Sequence, residues 1–146
     1  MTSKPLSAEY RTGKVYVCKL AHGGDLLDGI TSFCKEKKIK MAAVSAIGAL
    51  SAATVAYYDQ KKRVYREITF KGHFEILALT GNVSLKDGSP LCHAHVLCGD
   101  GKGRVFGGHL LRGCAVFACE LTVIVLKGKP LERGYDEATG LPLWRE

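Results

Sequence analysis

The sequence predicts an α+β domain in which a mostly antiparallel sheet is flanked by one helix. Three observations predict this class. A single segment, from Leu26 to Lys38, carries apolar residues at helical spacing. Most of the remaining chain consists of apolar, strand-like segments. Short turns containing glycine separate these segments, and short turns join antiparallel neighbours.

The first elements are a strand and the helix. Lys14 to Ala21 alternates between polar and apolar residues as a strand does, and Gly23-Gly24 then interrupts it. Asp25 is placed to cap a helix. The apolar positions of that helix are Leu26, Leu27, Ile30, Phe33 and Cys34, and its basic end is Lys38. We expect the helix to lie across the sheet.

The next segment, Met41 to Tyr58, has eighteen residues without a charge. It is rich in Ala and Ser and is interrupted by Gly48, so it is too weakly apolar for a membrane span. It predicts a long, bent central strand or two strands that meet near Gly48.

The rest of the chain is predicted to form further strands joined by turns. The predicted strands are Val64 to Phe70, Phe74 to Leu85, Leu91 to Cys98, Arg104 to Leu111 and Ala115 to Leu126. The predicted turns are Lys71-Gly72, Asp87 to Pro90, Gly99 to Gly103 and Arg112-Gly113.

Length and charge limit the classes of function. The 146 residues predict a single domain, 1–146, with peripheral segments at 1–12 and 134–146. The net charge of +7 can attract phosphate. The densest basic runs are Lys35 to Lys38 and Gln60 to Arg63, which a helix end and a turn also explain. Specific nucleic-acid recognition is therefore not indicated by charge alone.

The N-terminal residues lack a secretory signal, so we expect a cytoplasmic protein. Its six cysteines should then remain thiols. Cys92 and Cys98 are six apart and Cys114 and Cys119 five apart, so neither pair forms the CxxC of a zinc ribbon. Buried, inert thiols are expected.

The stretch PLCHAHVLCGDGKGRVFGGHL carries three of the five histidines. His93 and His95 alternate with Ala94 on one strand and share a face. A hairpin centred near Lys102 places His109 opposite His95, provided that the register is not shifted by one residue. Three neutral imidazoles suit Zn²⁺ or another divalent transition metal, with a further position left for water. The alternative is a glycine-rich hairpin whose histidines only satisfy local partners.

Several motifs in order resemble the PPC domain family of plants and prokaryotes, also called DUF296. They are GKVYVCKLAHGGDLLDGI, VSAIGALSAATVAYYD, FEILALTGNVSL, HAHVLCGDGKGRVFGGHLL and FACELTV, and they span nearly the whole chain. The resemblance implies an α+β homotrimer, similar in fold to the zinc enzyme acetolactate decarboxylase. It also implies a zinc site at His93, His95 and His109.

Plant members of this family bind AT-rich DNA through a separate Arg-Gly-Arg hook, and no such tripeptide occurs here. DNA binding is therefore expected to be weak or non-specific. A sheet with strands as apolar as Ala115 to Leu126 has more hydrophobic surface than one helix can cover, which also favours a trimer.

Other family-like residues are weaker candidates. Glu120, in FACELTV, can act as a general acid or base or accept a hydrogen bond from a ligating histidine; alternatively it is an exposed strand residue. Glu75 and Asn82 are expected only to line the sheet. Gly107-Gly108 predicts close backbone approach, at a subunit contact. The tail LERGYDEATGLPLW is expected to pack through Leu141, Leu143 and Trp144.

Two functions remain open from the sequence. One is a metal-dependent enzyme or sensor that binds a small molecule at the histidines. The other is a trimeric module that binds DNA or protein without catalysis. A pocket at an open metal position distinguishes the first from the second.

Overall fold

The structure is a computed structural model and describes residues 4–145. One helix and eight strands occupy these residues, which confirms a mostly β domain with one helix. In chain order they are β1 (Arg11–Lys19), α1 (Leu26–Glu36), β2 (Ala42–Asp59), β3 (Val64–Lys86), β4 (Ser89–Gly99), β5 (Val105–Leu110), β6 (Ala115–Lys127), β7 (Glu132–Asp136) and β8 (Leu141–Arg145). The first and last residues of the predicted peripheral segments, 1–3 and 146, lie outside the described part of the chain.

Helix α1 forms where the apolar spacing predicts it. Asp25 caps it, since its side chain accepts a hydrogen bond from the backbone N–H of Asp28 at 2.9 Å. Leu26, Ile30 and Cys34 are fully buried against the sheet. The helix ends at Glu36, before the predicted Lys38, because Lys38 takes a left-handed conformation with φ 56° and turns the chain into β2.

The charge-free segment forms one long strand, β2, rather than two. Its pairing with β6 and β3 shifts register on either side of Gly48 and again after Leu50, and these bulges bend it. Gly48 has φ 149°, and a Cβ there would lie 2.1 Å from the carbonyl oxygen of Ala118. Only glycine fits this crossing of β2 and β6.

The predicted turn at Lys71-Gly72 is wrong. Strand β3 runs without interruption from Val64 to Lys86 and pairs with β2 along almost all of its length. Between the pairs Leu50↔Phe74 and Ala52↔Lys71, β3 holds one residue more than β2. Gly72 therefore marks a β-bulge in a paired strand instead of a chain reversal.

The strand pairings form a sheet of order β1-β6-β2-β5-β4-β3-β7-β8, and β2 also pairs with β3. Strands β2, β5, β4 and β3 consequently close into a ring. Every pairing is antiparallel except the short one between β3 and β7. One face of β4 enters the core through Cys92, Ala94, Val96 and Cys98. Its other face carries His93 and His95.

The C-terminal tail folds back on the sheet as the hairpin β7–β8. Leu85 and Lys86 of β3 pair with Glu132 and Arg133 of β7. The Trp144 indole N–H donates to Ser84 Oγ at 3.0 Å, and Ser84 is fully buried. The tail therefore covers the end of the β3–β4 face that also carries the histidines.

All six cysteines are free, and five of them are buried. Burial raises the pKa of Cys92 to about 12 and that of Cys98 to about 11, so both thiols stay protonated near neutral pH. Within residues 4–145 no helix is long and apolar enough to cross a membrane.

Candidate metal centre

The β4–β5 hairpin has the register that the sequence predicts. His95 lies directly opposite His109, and the pairs continue to Gly99↔Val105 at the turn. The turn is held by Asp100, whose Oδ1 accepts from the backbone N–H groups of Lys102 and Arg104, each at 2.9 Å. The Arg104 Nε donates to the other carboxylate oxygen at 2.7 Å. This network fixes the turn length and therefore the register on which the position of His109 depends.

The three histidines form a compact cluster. One nitrogen of each ring lies within 4.8 Å of the corresponding nitrogen of the other two. The ring centroids are 5.4 Å apart for His93–His95, 5.0 Å for His93–His109 and 5.6 Å for His95–His109. This nearly equilateral arrangement is what alternation along β4 and pairing across the hairpin produce together.

The surroundings of His93 and His109 favour neutral imidazoles. Burial lowers the pKa of His93 to about 4, with further contributions from His109, Arg133 and His95. Burial also lowers the pKa of His109, and the charges of His95 and Arg133 lower it further. A neutral imidazole is the form that binds a metal ion. At neutral pH these two rings are thus ready to act as ligands.

His109 is held under an aromatic ring and has an unsatisfied nitrogen. Its ring lies 4.8 Å from that of Tyr65, at an interplanar angle of 31°. Its Nδ1 is buried and finds no hydrogen-bond partner within the described residues. A buried, unpaired polar atom is costly, and a bound cation is one partner that would relieve the cost.

The cluster lines a cleft of about 630 Å³ between the sheet and the C-terminal hairpin. Its volume is in the range of small-molecule sites. Most of the surrounding surface is apolar or aromatic, and Arg133 is its one Lys or Arg side chain among residues 4–145. The residues that contribute besides the histidines include Leu27, Tyr57, Tyr58, Tyr65, Leu91, Leu111, Arg133, Leu141, Pro142 and Leu143.

Gly107 and Gly108 allow the backbones on both sides of β5 to approach closely. This close approach is predicted, but it occurs here within one chain, and a subunit contact at these residues stays a prediction. A Cβ at Gly107 would lie 2.3 Å from the carbonyl oxygen of Val96, and one at Gly108 would lie 2.7 Å from that of Ala56. Their neighbour His109 is thereby held between β4 and β2, where it pairs with His95 and Ala56.

The structure does not bring Glu120 to the histidines within one chain. Glu120 is exposed on β6, opposite Lys19 of β1 and Ile47 of β2. Ile47 and the partner of His109, Ala56, are nine positions apart on β2, about 30 Å for an extended strand. Glu75 lines a different cavity, together with His73 and Phe117.

Asn82 has a more specific position than the sequence indicates. It lies directly opposite His93, and its Oδ1 accepts a hydrogen bond of 2.8 Å from Arg133 Nη2. Arg133 itself was not predicted as a site residue, and neither were Tyr58 and Tyr65. The sequence feature that could have indicated Arg133 is the family-like tail LERGYDEATGLPLW, which contains it. Only the apolar residues of this tail are predicted to make contacts.

The comparison with protein families decides where the chain belongs. The model of the Plants and Prokaryotes Conserved domain matches residues 7–127. The chain belongs to this family. A metal-containing protein from Archaeoglobus fulgidus is 46% identical, with a TM-score of 0.93 over 97% of this chain and 100% of that one. A plant- and prokaryote-conserved protein from Pyrococcus horikoshii is 40% identical, with a TM-score of 0.91 over 97% and 98%.

More distant structural neighbours carry other names. A protein from Bacteroides thetaiotaomicron whose name suggests DNA binding is 27% identical, with a TM-score of 0.83 over 93% of this chain and 96% of that one. A Staphylococcus aureus protein described as similar to alpha-acetolactate decarboxylase shares the fold alone, at 15% identity and a TM-score of 0.51, over 80% of this chain and 53% of that one.

Curated relatives are longer than this chain. The bifunctional protein GlmU of a Synechococcus strain is 33% identical over 132 residues, which are 87% of this chain and 20% of that protein. The chain thus spans about a fifth of the length of the curated relatives it matches.

Proposed function

We propose that this family member binds one divalent metal ion, zinc, through His93, His95 and His109, and acts on or senses a small molecule in the adjoining cleft. The observation that carries the proposal is the convergence of three imidazole nitrogens within 4.8 Å at the wall of a cleft of about 630 Å³. The metal-containing relative from Archaeoglobus fulgidus supports it.

The donor set fits a catalytic or sensing site better than a structural one. Structural zinc sites have four protein ligands, whereas catalytic sites have three and leave a position open. No fourth His, Cys, Asp or Glu joins the cluster among residues 4–145. When bound, the metal would supply Lewis-acid chemistry at that open position. The chain's contribution is to orient the imidazoles through the hairpin and to exclude water with the apolar walls of the cleft.

Titration of the metal-free protein with Co²⁺ tests this proposal. Cobalt substitutes for zinc and reports its coordination by visible absorption. We expect saturation at one equivalent, with the spectrum of a four-coordinate ion whose remaining ligand exchanges with added azide. Absence of saturable binding, or a spectrum that azide leaves unchanged, would argue for a different role of the histidines.

Metal binding should persist to a pH below the ordinary histidine pKa of about 6.5. Protons compete with the metal for imidazole nitrogen, so release follows protonation. Because the pKa of His93 is lowered to about 4 and that of His109 is also lowered, these two rings take up protons only at a pH below their ordinary value. Metal content after dialysis between pH 7.5 and pH 4 should fall with a midpoint below 6.5. A midpoint above that value would contradict the lowered pKa values.

We also propose that the chain assembles as a homotrimer. One face of the β1-β6-β2 region carries exposed apolar side chains, with exposed fractions of 76% for Val17 and 55% for Ile47. Glu120 lies on this same face, beside Ile47. Apolar surface of this kind on a soluble domain is typical of a subunit contact.

The trimer is tested by light scattering at micromolar concentration, where we expect three times the chain mass of 15.8 kDa. The variant Ile47→Asp places a second carboxylate beside Glu120 and should dissociate the assembly. The control Val64→Asp changes an exposed apolar residue next to a turn and should not. A wild-type monomer, or equal masses for both variants, would remove this proposal.

The alternative function is a DNA-binding module without catalysis. The net charge of +7 and the names of some relatives favour it. Dispersed lysines release counterions but read no bases, so we expect weak binding to duplex DNA that falls steeply between ~50 and ~200 mM salt. AT-rich and GC-rich duplexes should bind equally in a fluorescence-anisotropy titration. Tight, AT-selective binding at the higher salt would instead favour the DNA-binding function.

A further inference from the structure

Arg133 is a buried cation that lacks a carboxylate partner among residues 4–145. Only 6% of its surface is exposed. The ion pairs of the described chain involve Lys37, Arg66, Arg104 and Arg112, and not Arg133. A guanidinium remains charged inside proteins, and a buried charge without a counter-ion is costly. A buried arginine of this kind needs a functional explanation.

Its hydrogen bonds hold the guanidinium in place without neutralising it. Nε donates to Ser84 Oγ at 2.9 Å, Nη1 to the carbonyl oxygen of Pro142 at 3.1 Å, and Nη2 to Asn82 Oδ1 at 2.8 Å. The Trp144 ring lies 5.1 Å from the guanidinium carbon. All these partners are neutral. Since arginine has five N–H donors, two remain for another acceptor.

The guanidinium and the histidines share one cleft. Arg133 lines the cleft together with His93, His95 and His109. It is connected to the cluster through Asn82, which lies directly opposite His93 on the neighbouring strand. A ligand in this cleft can therefore lie close to both a fixed positive charge and the histidines that would hold the metal.

We propose that the cleft binds a small organic carboxylate, with Arg133 as the residue that anchors its carboxylate group. This inference rests on the proposed function of the same cleft and names its ligand class. A guanidinium matches a carboxylate in geometry and charge. The apolar walls formed by Leu91, Leu141 and Leu143 suit a short aliphatic chain. A phosphate would be expected to recruit several cations, whereas Arg133 is the one Lys or Arg of the lining.

Calorimetric titration with butyrate and its neutral isostere butyramide tests the anchor, on both the metal-loaded and the metal-free protein. We expect butyrate to bind and butyramide to bind at least about tenfold more weakly. This comparison uses the wild-type protein and does not depend on the folding of a variant. Equal binding of the two probes, no binding of butyrate, or stronger binding of inorganic phosphate than of butyrate would overturn the proposal.

The matched variants are Arg133→Gln and Arg66→Gln. Arg66 is an exposed arginine that pairs with Asp59 outside the cleft. We expect Arg133→Gln to weaken the binding of butyrate about 10- to 100-fold while the protein retains its metal, and Arg66→Gln to leave the binding of butyrate and of metal unchanged. Arg133-dependent binding of butyrate by a protein that takes up no added zinc would support the anchor while refuting the metal site. If a folded Arg133→Gln protein binds butyrate as tightly as the wild type, the anchoring role of Arg133 is refuted and the metal site is not affected.

Discussion

Replacing His109 by alanine is expected to abolish stoichiometric metal binding. His109 is the ligand that β5 contributes, and it reaches the cluster only because it lies opposite His95. Its removal leaves two imidazoles on β4, with no other His, Cys, Asp or Glu of the described chain in the cluster. Loss of a group that merely orients a metal ligand already costs about 10- to 100-fold in affinity. Loss of a ligand should lower the metal affinity by more than this factor. We expect His93→Ala and His95→Ala to lose metal in the same way as His109→Ala.

Three variants serve as controls for this result. His73→Ala removes an imidazole from a different cavity. Cys92→Ser and Cys98→Ser change side chains on the core face of β4. All three should retain metal, as measured by elemental analysis after dialysis against a weak chelator. Full metal retention in His109→Ala would show that the third ligand had been assigned wrongly.

Replacing Asp25 by alanine is expected to lower the free energy of unfolding more than replacing any other exposed or half-buried polar residue discussed above. Its carboxylate accepts from Asp28 N at 2.9 Å, which caps α1, and from the backbone N–H groups of Gly113 at 2.7 Å and Cys114 at 3.2 Å. A lost cap costs about 1 kcal/mol, and unsatisfied N–H groups cost about 1–3 kcal/mol. We expect the free energy of unfolding to fall by about 2–4 kcal/mol.

Urea unfolding at a fixed protein concentration measures this loss, because the stability of an oligomer depends on concentration. Asp28→Ala is the matched control, since Asp28 makes an exposed ion pair with Arg112 and should cost less than about 1 kcal/mol. Equal effects of the two substitutions would mean that Asp25 does not join α1 to the β5–β6 connection.

The features predicted correctly from the sequence depend on local chemistry. The amphipathic spacing of Leu26, Ile30 and Cys34 specifies the helix, and Asp25 specifies its start. The hairpin turn between Gly99 and Arg104 has a length that fixes the register, so the pairing of His95 with His109 follows from their spacing along the chain. Both predictions concern residues that are near each other along the chain.

The features that the sequence did not predict depend on contacts between distant segments. Gly72 looks like a turn residue, but β2 supplies a partner strand that pairs across it and makes it a bulge. Arg133 follows the last long strand, and only the folding of β7 against β3 brings it to Asn82 and Ser84. Glu120 resembles a site residue in a motif, whereas the sheet order places it away from the histidines of its own chain.

The metal content of the wild-type protein, purified without a histidine tag, tests the metal centre most directly. Plasma mass spectrometry on protein of known concentration gives the identity of the metal and the number of ions per chain. We predict one divalent transition-metal ion per chain, zinc, which is lost on treatment with a strong chelator and regained on addition of Zn²⁺. A protein that holds no metal as purified and takes up none when zinc is added would contradict a metal centre at His93, His95 and His109.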